Sequence, residues 1–325
     1  MRHSSLSLRV MFSRLPIRQF ALAQMLLAVI LSNMSPVFSK VLYARGWTPL
    51  ILYFTTLIIV SIVLLVHEYI ALESGARWGM TRRDVFGVAV STIAGGVLAP
   101  VLFFTGLQAV EASEALILSS TLPFFVVVFG ILMLKERFTR QTVIGSLFLL
   151  AGMTVLLWPD IRSVHFGDGA PFIIGSTLFG ALSTITHKKY IVHRHLDSVV
   201  LVRTLLSALI VGCVIFFVDP QSMRLLTAPE NIWLVLAIPI LCFITPFFLF
   251  FGAIRKVKAI DVGLVEAAGR VFAIIAASTI LGEHLTSLAL WSMTLVVFGI
   301  LFINVPLTRW RIVPSRLLEI GPLRK

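Results

Sequence analysis

The chain has 325 residues, 58% of them hydrophobic and 13% charged, with a mean hydropathy of +1.00; soluble domains run near ~25% charged. Ten helices of roughly 20 residues would use about 200 residues and leave about 125 for loops and ends, which excludes large aqueous domains. The formal charge of +12, from 27 Lys and Arg against 15 Asp and Glu, fits basic loops on one side of a membrane better than nucleic-acid binding. Cys213 and Cys242 both sit in apolar runs, so they offer neither a disulfide framework nor a thiolate metal site.

The first apolar run covers 20–42. Arg2, Arg9, Arg14 and Arg18 precede it without a small-residue cleavage site, so it is expected to stay attached as a span. Asn33, Ser35 and Pro36 interrupt it. Proline removes a helical hydrogen bond, and broken helices expose backbone groups to transporter cavities. Lys40, near the far end, either snorkels to head groups or closes a gate. The runs at 49–66, 85–110, 113–134 and 142–158 follow, with Gly95, Gly96 and Pro100 in the third and Pro123 in the fourth.

Five more runs fall at 170–187, 198–218, 231–254, 259–281 and 286–307. Arg203, early in the seventh, has the same two readings as Lys40, and Pro239 and Pro246 mark the eighth. As a group the prolines are the expected hinges, although Gly and Pro also serve packing in membrane helices. Phe103, Phe104, Phe124, Phe125, Phe247, Phe248, Phe250 and Phe251 are candidate walls of an apolar cavity. Adjacent pairs are not expected to point inward together, so at best about half would line it.

The ninth run carries the strongest chemical signal. Glu266 and Arg270 stand four residues apart, on one helical face and close enough to pair. An arginine at the bilayer centre costs about 2.5–3.5 kcal/mol on insertion scales, so it faces a cavity or a partner. Either Arg270 helps bind an anionic or zwitterionic solute, or Glu266 titrates as part of proton coupling, or the two form a structural pair. Glu136 and Glu283 each follow a span and precede a turn, where a carboxylate caps the free amides of the next helix. Glu114 and Asp261 stand near span starts and invite the same capping reading.

His187, His193 and His195 lie among Lys188, Lys189 and Arg194, and those cations disfavour a divalent metal. Neither metal nor cofactor is expected. No GxSxG, Walker A, HExxH or CxxC motif occurs, which leaves hydrolase, ATP-driven and thiol redox readings without support.

With the N-terminus placed inside, 21 of the 27 Lys and Arg fall in inside loops and tails, 3 in outside loops and 3 within or beside spans. That bias predicts both termini in the cytoplasm and an even number of spans. A shift of 147 residues sets Leu134-Lys135-Glu136-Arg137-Phe138 on Leu281-Gly282-Glu283-His284-Leu285, Gly152 on Gly299 and Glu114 on Asp261. Pro100 with Phe103, Phe104 and Gly106 matches Pro246 with Phe250, Phe251 and Gly252 after a one-residue gap. Five spans per half force opposite polarities, an inverted-repeat transporter architecture with its site at the repeat interface.

Each half resembles an EamA domain of the drug/metabolite transporter superfamily: a Pro-containing span, a Gly-Glu or Lys-Glu step followed by an apolar residue, then a span ending in an apolar-Gly-apolar run. Here these are Pro123, Glu136, Phe138 and Gly152, then Glu283, Leu285 and Gly299. The likeness covers about 20–307. Two departures stand out: Arg270 occupies the place of the ninth-span proline, and Thr55 stands where Arg203 has its first-half counterpart. The resemblance implies an all-α membrane protein of ten transmembrane helices, built as two inverted five-helix EamA repeats. The divisions are a tail at 1–19, repeats at 20–158 and 170–307, an external linker at 159–169 and a tail at 308–325.

The expected function is a secondary transporter or facilitator of a small organic metabolite or drug-like solute, by alternating access and often as an exporter. A nucleotide-sugar or phosphate-ester exchanger is the alternative, then a membrane-embedded lipid-modifying enzyme. The expected partners are a small-molecule substrate and the lipid bilayer of the cell membrane, with no nucleic acid and a homodimer left open. Candidate substrate or coupling residues are Glu266, Arg270 and Asn33. Pocket or hinge residues are Pro36, Phe104, Pro123 and Pro246, gates are Lys40 and Arg203, and caps are Glu136 and Glu283.

Overall fold

A computed structural model describes residues 17–72, 81–136, 139–159, 169–191, 196–227, 232–254, 256 and 259–304. Among them ten helical spans follow one another: 17–43, Pro49–Leu72, Arg82–Ala109, Ala112–Leu134, Arg140–Leu156, Ala170–Tyr190, Leu196–Val218, 232–254, Ala259–Leu281 and Ser287–Asn304. They are spans 1 to 10 below. Six are long and apolar enough to cross a bilayer by length and composition, and spans 5, 8 and 10 contain shorter apolar helices. Span 2 runs on past His67 and Glu68, and span 6 through Lys188 and Lys189, beyond where the hydropathy ends. Long polar side chains let a helix continue into the interfacial zone.

Four spans depart from plain α-helix, each next to a proline. Span 1 turns at Met34 between Ile17–Asn33 and Ser35–Tyr43, with Pro36 in the first turn of the second piece. Span 4 turns at Ser120 and Thr121, with Pro123 just inside Leu122–Leu134. A helix tolerates proline in its first turn, where the missing N–H has no partner to lose. Spans 3 and 8 stay continuous but widen to π-helix at Thr92–Leu98 and Ile238–Ile244. Each widened stretch ends two residues before a proline, Pro100 or Pro246, and a π-bulge makes room for the ring.

The two π stretches are offset by 146 residues, and the repeat extends to the turns. Lys135, which ends span 4, and Gly282, 147 residues on, both take positive φ, 55° and 69°. Left-handed termination costs a lysine more than a glycine. Spans 5 and 10 show the inverted relation directly. A Cβ on Gly299 would stand 2.8 Å from the Gly145 carbonyl oxygen, while Ser292 Oγ donates to the Gly152 carbonyl at 2.6 Å. Shifting Gly145 and Gly152 by 147 gives Ser292 and Gly299, so the two contacts exchange under a pseudo-two-fold axis between these helices.

The two faces of the bundle pack differently. The basic face carries Lys135, Arg140, Lys188, Lys189 and Lys256. Toward the opposite face one continuous core includes Trp47, Leu107, Leu118, Ile173, Ile215 and Ala277, drawn from the edge of span 2 and from spans 3, 4, 6, 7 and 9. Toward the basic face two clusters stand apart: Met25, Val29, Ala253 and Val265 join spans 1, 8 and 9, while Val88, Ile191 and Val199 join spans 3, 6 and 7. A further cluster, with Leu149, Ala267, Ile274 and Val296, joins spans 4, 5, 9 and 10. The side held by the single core is the sealed face, and the side where the packing of spans 1, 8 and 9 stands apart from that of spans 3, 6 and 7 is the split face.

Candidate functional site

The split leads into a cavity of about 670 Å³ at the level of the helix breaks. Asn33 and Pro36 from span 1, Phe104 from span 3, Pro123 from span 4, Arg203 from span 7 and Glu266 and Arg270 from span 9 all line it. Seven sequence candidates thus meet in one place. Pro246 lines an adjoining hollow between spans 1 and 8 that shares Asn33, Glu266 and Arg270. Lys40, Glu136 and Glu283 line neither.

Arg270 does not turn back to Glu266. Its Nη1 donates to Ser120 Oγ at 2.9 Å, and that hydroxyl donates to the Leu116 carbonyl at 2.7 Å. The break at Ser120 and Thr121 frees the hydroxyl to serve both partners. Arg270 occupies the repeat position of Pro123, so the side chain that replaces the second proline reaches the helix that the first one breaks. Glu266 lies one turn away on the same cavity wall. Among the described residues neither Arg270 nor Arg203 forms an ion pair with a carboxylate.

Arg203 is a wall of the cavity rather than a snorkelling residue at the head groups. A Cβ on Gly95 would stand 3.7 Å from its Nη2 and would collide with Ser183 Oγ. The bare Gly95-Gly96 backbone lets spans 6 and 7 press against span 3. Asn33 spends its Nδ2 on the Val29 carbonyl at 2.9 Å, which leaves its Oδ1 as the acceptor at the span 1 break. The remaining lining is largely apolar, with aliphatic side chains such as Leu57, Val60 and Leu64 beside the aromatic Tyr53, Phe103, Phe243, Phe247 and Phe248. Two adjacent pairs, Phe103-Phe104 and Phe247-Phe248, both line it, contrary to the one-inward expectation. Helical neighbours lie about 100° apart, and a wide cavity at a widened helix subtends that angle. Phe124 and Phe125 line neither hollow, and Phe250 lines the smaller one.

Residues 19–158 and 168–305 each match the EamA-like transporter family. The chain belongs to that family. It is 28% identical over 138 residues to YetK, an uncharacterised transporter of Bacillus subtilis strain 168, across 40% of each chain. To the uncharacterised transporter sll1164 of Synechocystis sp. strain PCC 6803 it is 24% identical over 117 residues, 34% of each chain. The matched stretches thus span 40% and 34% of the length of these curated relatives. A solved crystal structure shares the fold at TM-score 0.60 and 18% identity, over 90% of this chain and 99% of that one.

Within the EamA repeats, the helices after Glu136 and Glu283 are capped by threonines. Thr139 Oγ1 accepts from the Thr142 amide at 3.1 Å, and Thr286 Oγ1 from the Ala289 amide at 3.1 Å, again 147 residues apart. Glu136 instead holds Lys188 Nζ at 2.7 and 2.8 Å. Glu283 is a cap, but of a helix 171 residues earlier in the chain: its oxygens accept from the amides of Ala112 at 2.6 Å and Ser113 at 3.0 Å. A threonine hydroxyl adjacent to the helix start outcompetes a carboxylate three residues further back. Lys40 Nζ reaches the Gln108 carbonyl at 3.4 Å, joining spans 1 and 3 near the sealed face. The side chains of Asp261 and Phe251 and the segments carrying His193, His195 and both termini lie outside the described residues.

Sequence reasoning missed Tyr53, whose hydroxyl donates to the Gly96 carbonyl at 2.6 Å, and the cavity hydroxyls of Ser119, Ser176, Thr177 and Thr204. Tyr53 carries a usable signal, the one tyrosine within the apolar run at 49–66. The hydroxyl residues had none, because they usually bond back to their own helix, as Thr204 does to the Val200 carbonyl at 2.6 Å.

Proposed function

We propose that this EamA protein is a secondary carrier of small amphipathic organic acids or zwitterions, moved by alternating access and without enzymatic chemistry. The carrying observation is that Arg203 and Arg270 line one largely apolar cavity, with aromatic side chains in its wall, and have no carboxylate partner among the described residues. Two cations against the single carboxylate Glu266 leave the lining with an excess of positive charge, which a membrane interior disfavours unless an anion joins it. The aromatic wall suits the apolar part of the same solute. By the charge bias the basic face is cytoplasmic, so the cavity opens on the side where an exporter loads. The protein accordingly acts in the cell membrane with both ends inside.

The second cation also favours a phosphate-ester exchanger, for which Arg270 alone is too little. Uptake into proteoliposomes decides between them. Competition by aromatic carboxylates and amino acids, lost in Arg270→Gln and Arg203→Gln, is the expected result. Competition by sugar phosphates alone would select the exchanger. Flux of a neutral solute unaffected by either variant would sink the anion reading.

A further inference from the structure

Glu136 and Glu283 hold equivalent places in the two repeats yet have different partners. Glu283 takes the amides of Ala112 and Ser113, the first two of span 4, with both carboxylate oxygens. That bond ties the loop after span 9 to span 4 on the sealed face. The 147-residue shift carries Glu283 back to Glu136, and Ala112 and Ser113 forward to Ala259 and Ile260, the first two residues of span 9. Glu136 holds Lys188 instead, and it does so on the face where the bundle is split. The carboxylate that caps and the carboxylate that does not thus track the closed and the open side.

We propose that Glu136 and Glu283 are alternating latches of the transport cycle, positioning residues that do not touch the solute. In the state described here Glu283 caps span 4 and holds the face opposite the basic loops shut. In the other state Glu136 leaves Lys188, caps the amides of Ala259 and Ile260 and shuts the basic face, while Glu283 lets go. Lys40, one residue from the place in span 1 that Lys188 holds in span 6, is its waiting partner. Lys40 Nζ lies toward that same face, against the Gln108 carbonyl at 3.4 Å. The physical basis is an exchange of like for like. Each state satisfies two free amides at one helix start with a charge-assisted pair, and leaves the other carboxylate with a lysine. Neither state is then strongly favoured, and a solute of modest differential affinity moves the balance.

This inference rests on the alternating-access reading, and one experiment separates the two. The full chain, with Cys213 and Cys242 replaced by Ser, is placed in nanodiscs with spin labels at Gln108 and Ser287 for the sealed face, or at Arg140 and Lys256 for the basic face. Electron–electron distances are then recorded. Glu283→Gln and Lys188→Gln should each raise the fraction with the basic face closed by about five- to tenfold, since a neutral acceptor replaces a charged one or Glu136 is set free. Glu136→Gln should lower that fraction below wild type. Lys188 is exposed and caps nothing, so its variant folds even where a lost cap lowers yield. Two states whose balance moves the same way, or not at all, in Glu283→Gln and Glu136→Gln would overturn the latch and leave the carrier standing. A single distance on each face in every variant would sink alternating access and the latch with it.

Discussion

The hydroxyl of Tyr53 donates to the carbonyl of Gly96 at 2.6 Å, and Gly96 stands four residues before Pro100. In an α-helix the amide at position 100 would serve that carbonyl, and proline has none. Span 2 therefore supplies the donor that span 3 lacks, at the point where span 3 widens. Tyr53→Phe should cost about 1 kcal/mol, in the range of interhelical hydrogen bonds in membranes, read as a lower unfolding temperature in detergent. An unchanged temperature would mean that water or a π-type amide serves Gly96 instead.

Arg270 gives the second test. Arg270→Lys replaces a planar fork by a point charge, so binding of an anionic solute should weaken about tenfold while the protein still inserts. Should Arg270 serve only to balance Glu266, removing one charge leaves the other stranded, a loss of roughly 3–5 kcal/mol. Arg270→Met with Glu266→Gln would then restore folded yield and transport together. Restored folding with transport absent is the outcome expected of a binding residue, measured by size-exclusion yield beside liposome uptake.

The crossing of spans 5 and 10 is tight at Gly145 and Gly299. A Cβ on Gly145 would stand 3.0 Å from the Gly299 carbonyl oxygen and 2.6 Å from Ile303 Cγ1. Gly145→Val should force the helices apart at a cost of about 1–3 kcal/mol or more. Ser292→Ala, which only removes a hydrogen bond to the Gly152 carbonyl, should cost about 1 kcal/mol. Equal unfolding temperatures for the two variants would show that the pair is not held by close backbone approach.

Sidedness is tested by labelling single cysteines in intact cells. A cysteine at Gln221 should react with an impermeant maleimide from outside, and one at Lys256 only after permeabilisation. Tags on Met1 and Lys325 should be hidden from outside. External reaction at Lys256 would reverse the orientation and move the open cavity to the outer side.

Much of the site was legible as a set of positions. Asn33, Pro36, Pro123 and Arg270 break the rules for a plain membrane helix, and the cavity collects all four. Their directions were not legible. The four-residue spacing offers Arg270 a pair with Glu266 on its own helix beside the solute-binding reading, and the position of Glu283 offers it the helix that follows as the one to cap. Both instead act across the repeat interface on span 4. A four-residue spacing is written in the chain, whereas a partner 150 or 171 residues away is set by how two helices meet.

The sequence by itself determined the ten spans, their five-plus-five inversion and the charges and prolines placed within them, because the hydrophobic length of a span and the charge bias of its flanks are local quantities. Only the tertiary structure decided which way each helix faces, which side of the bundle is shut, and that Arg203 joins Arg270 in one cavity. The reason is that lipid and protein interior are equally apolar to a membrane helix, so hydropathy carries almost no azimuthal signal. The facing is left to close approaches such as Gly145 on Gly299 and to hydrogen bonds such as Glu283 on Ala112.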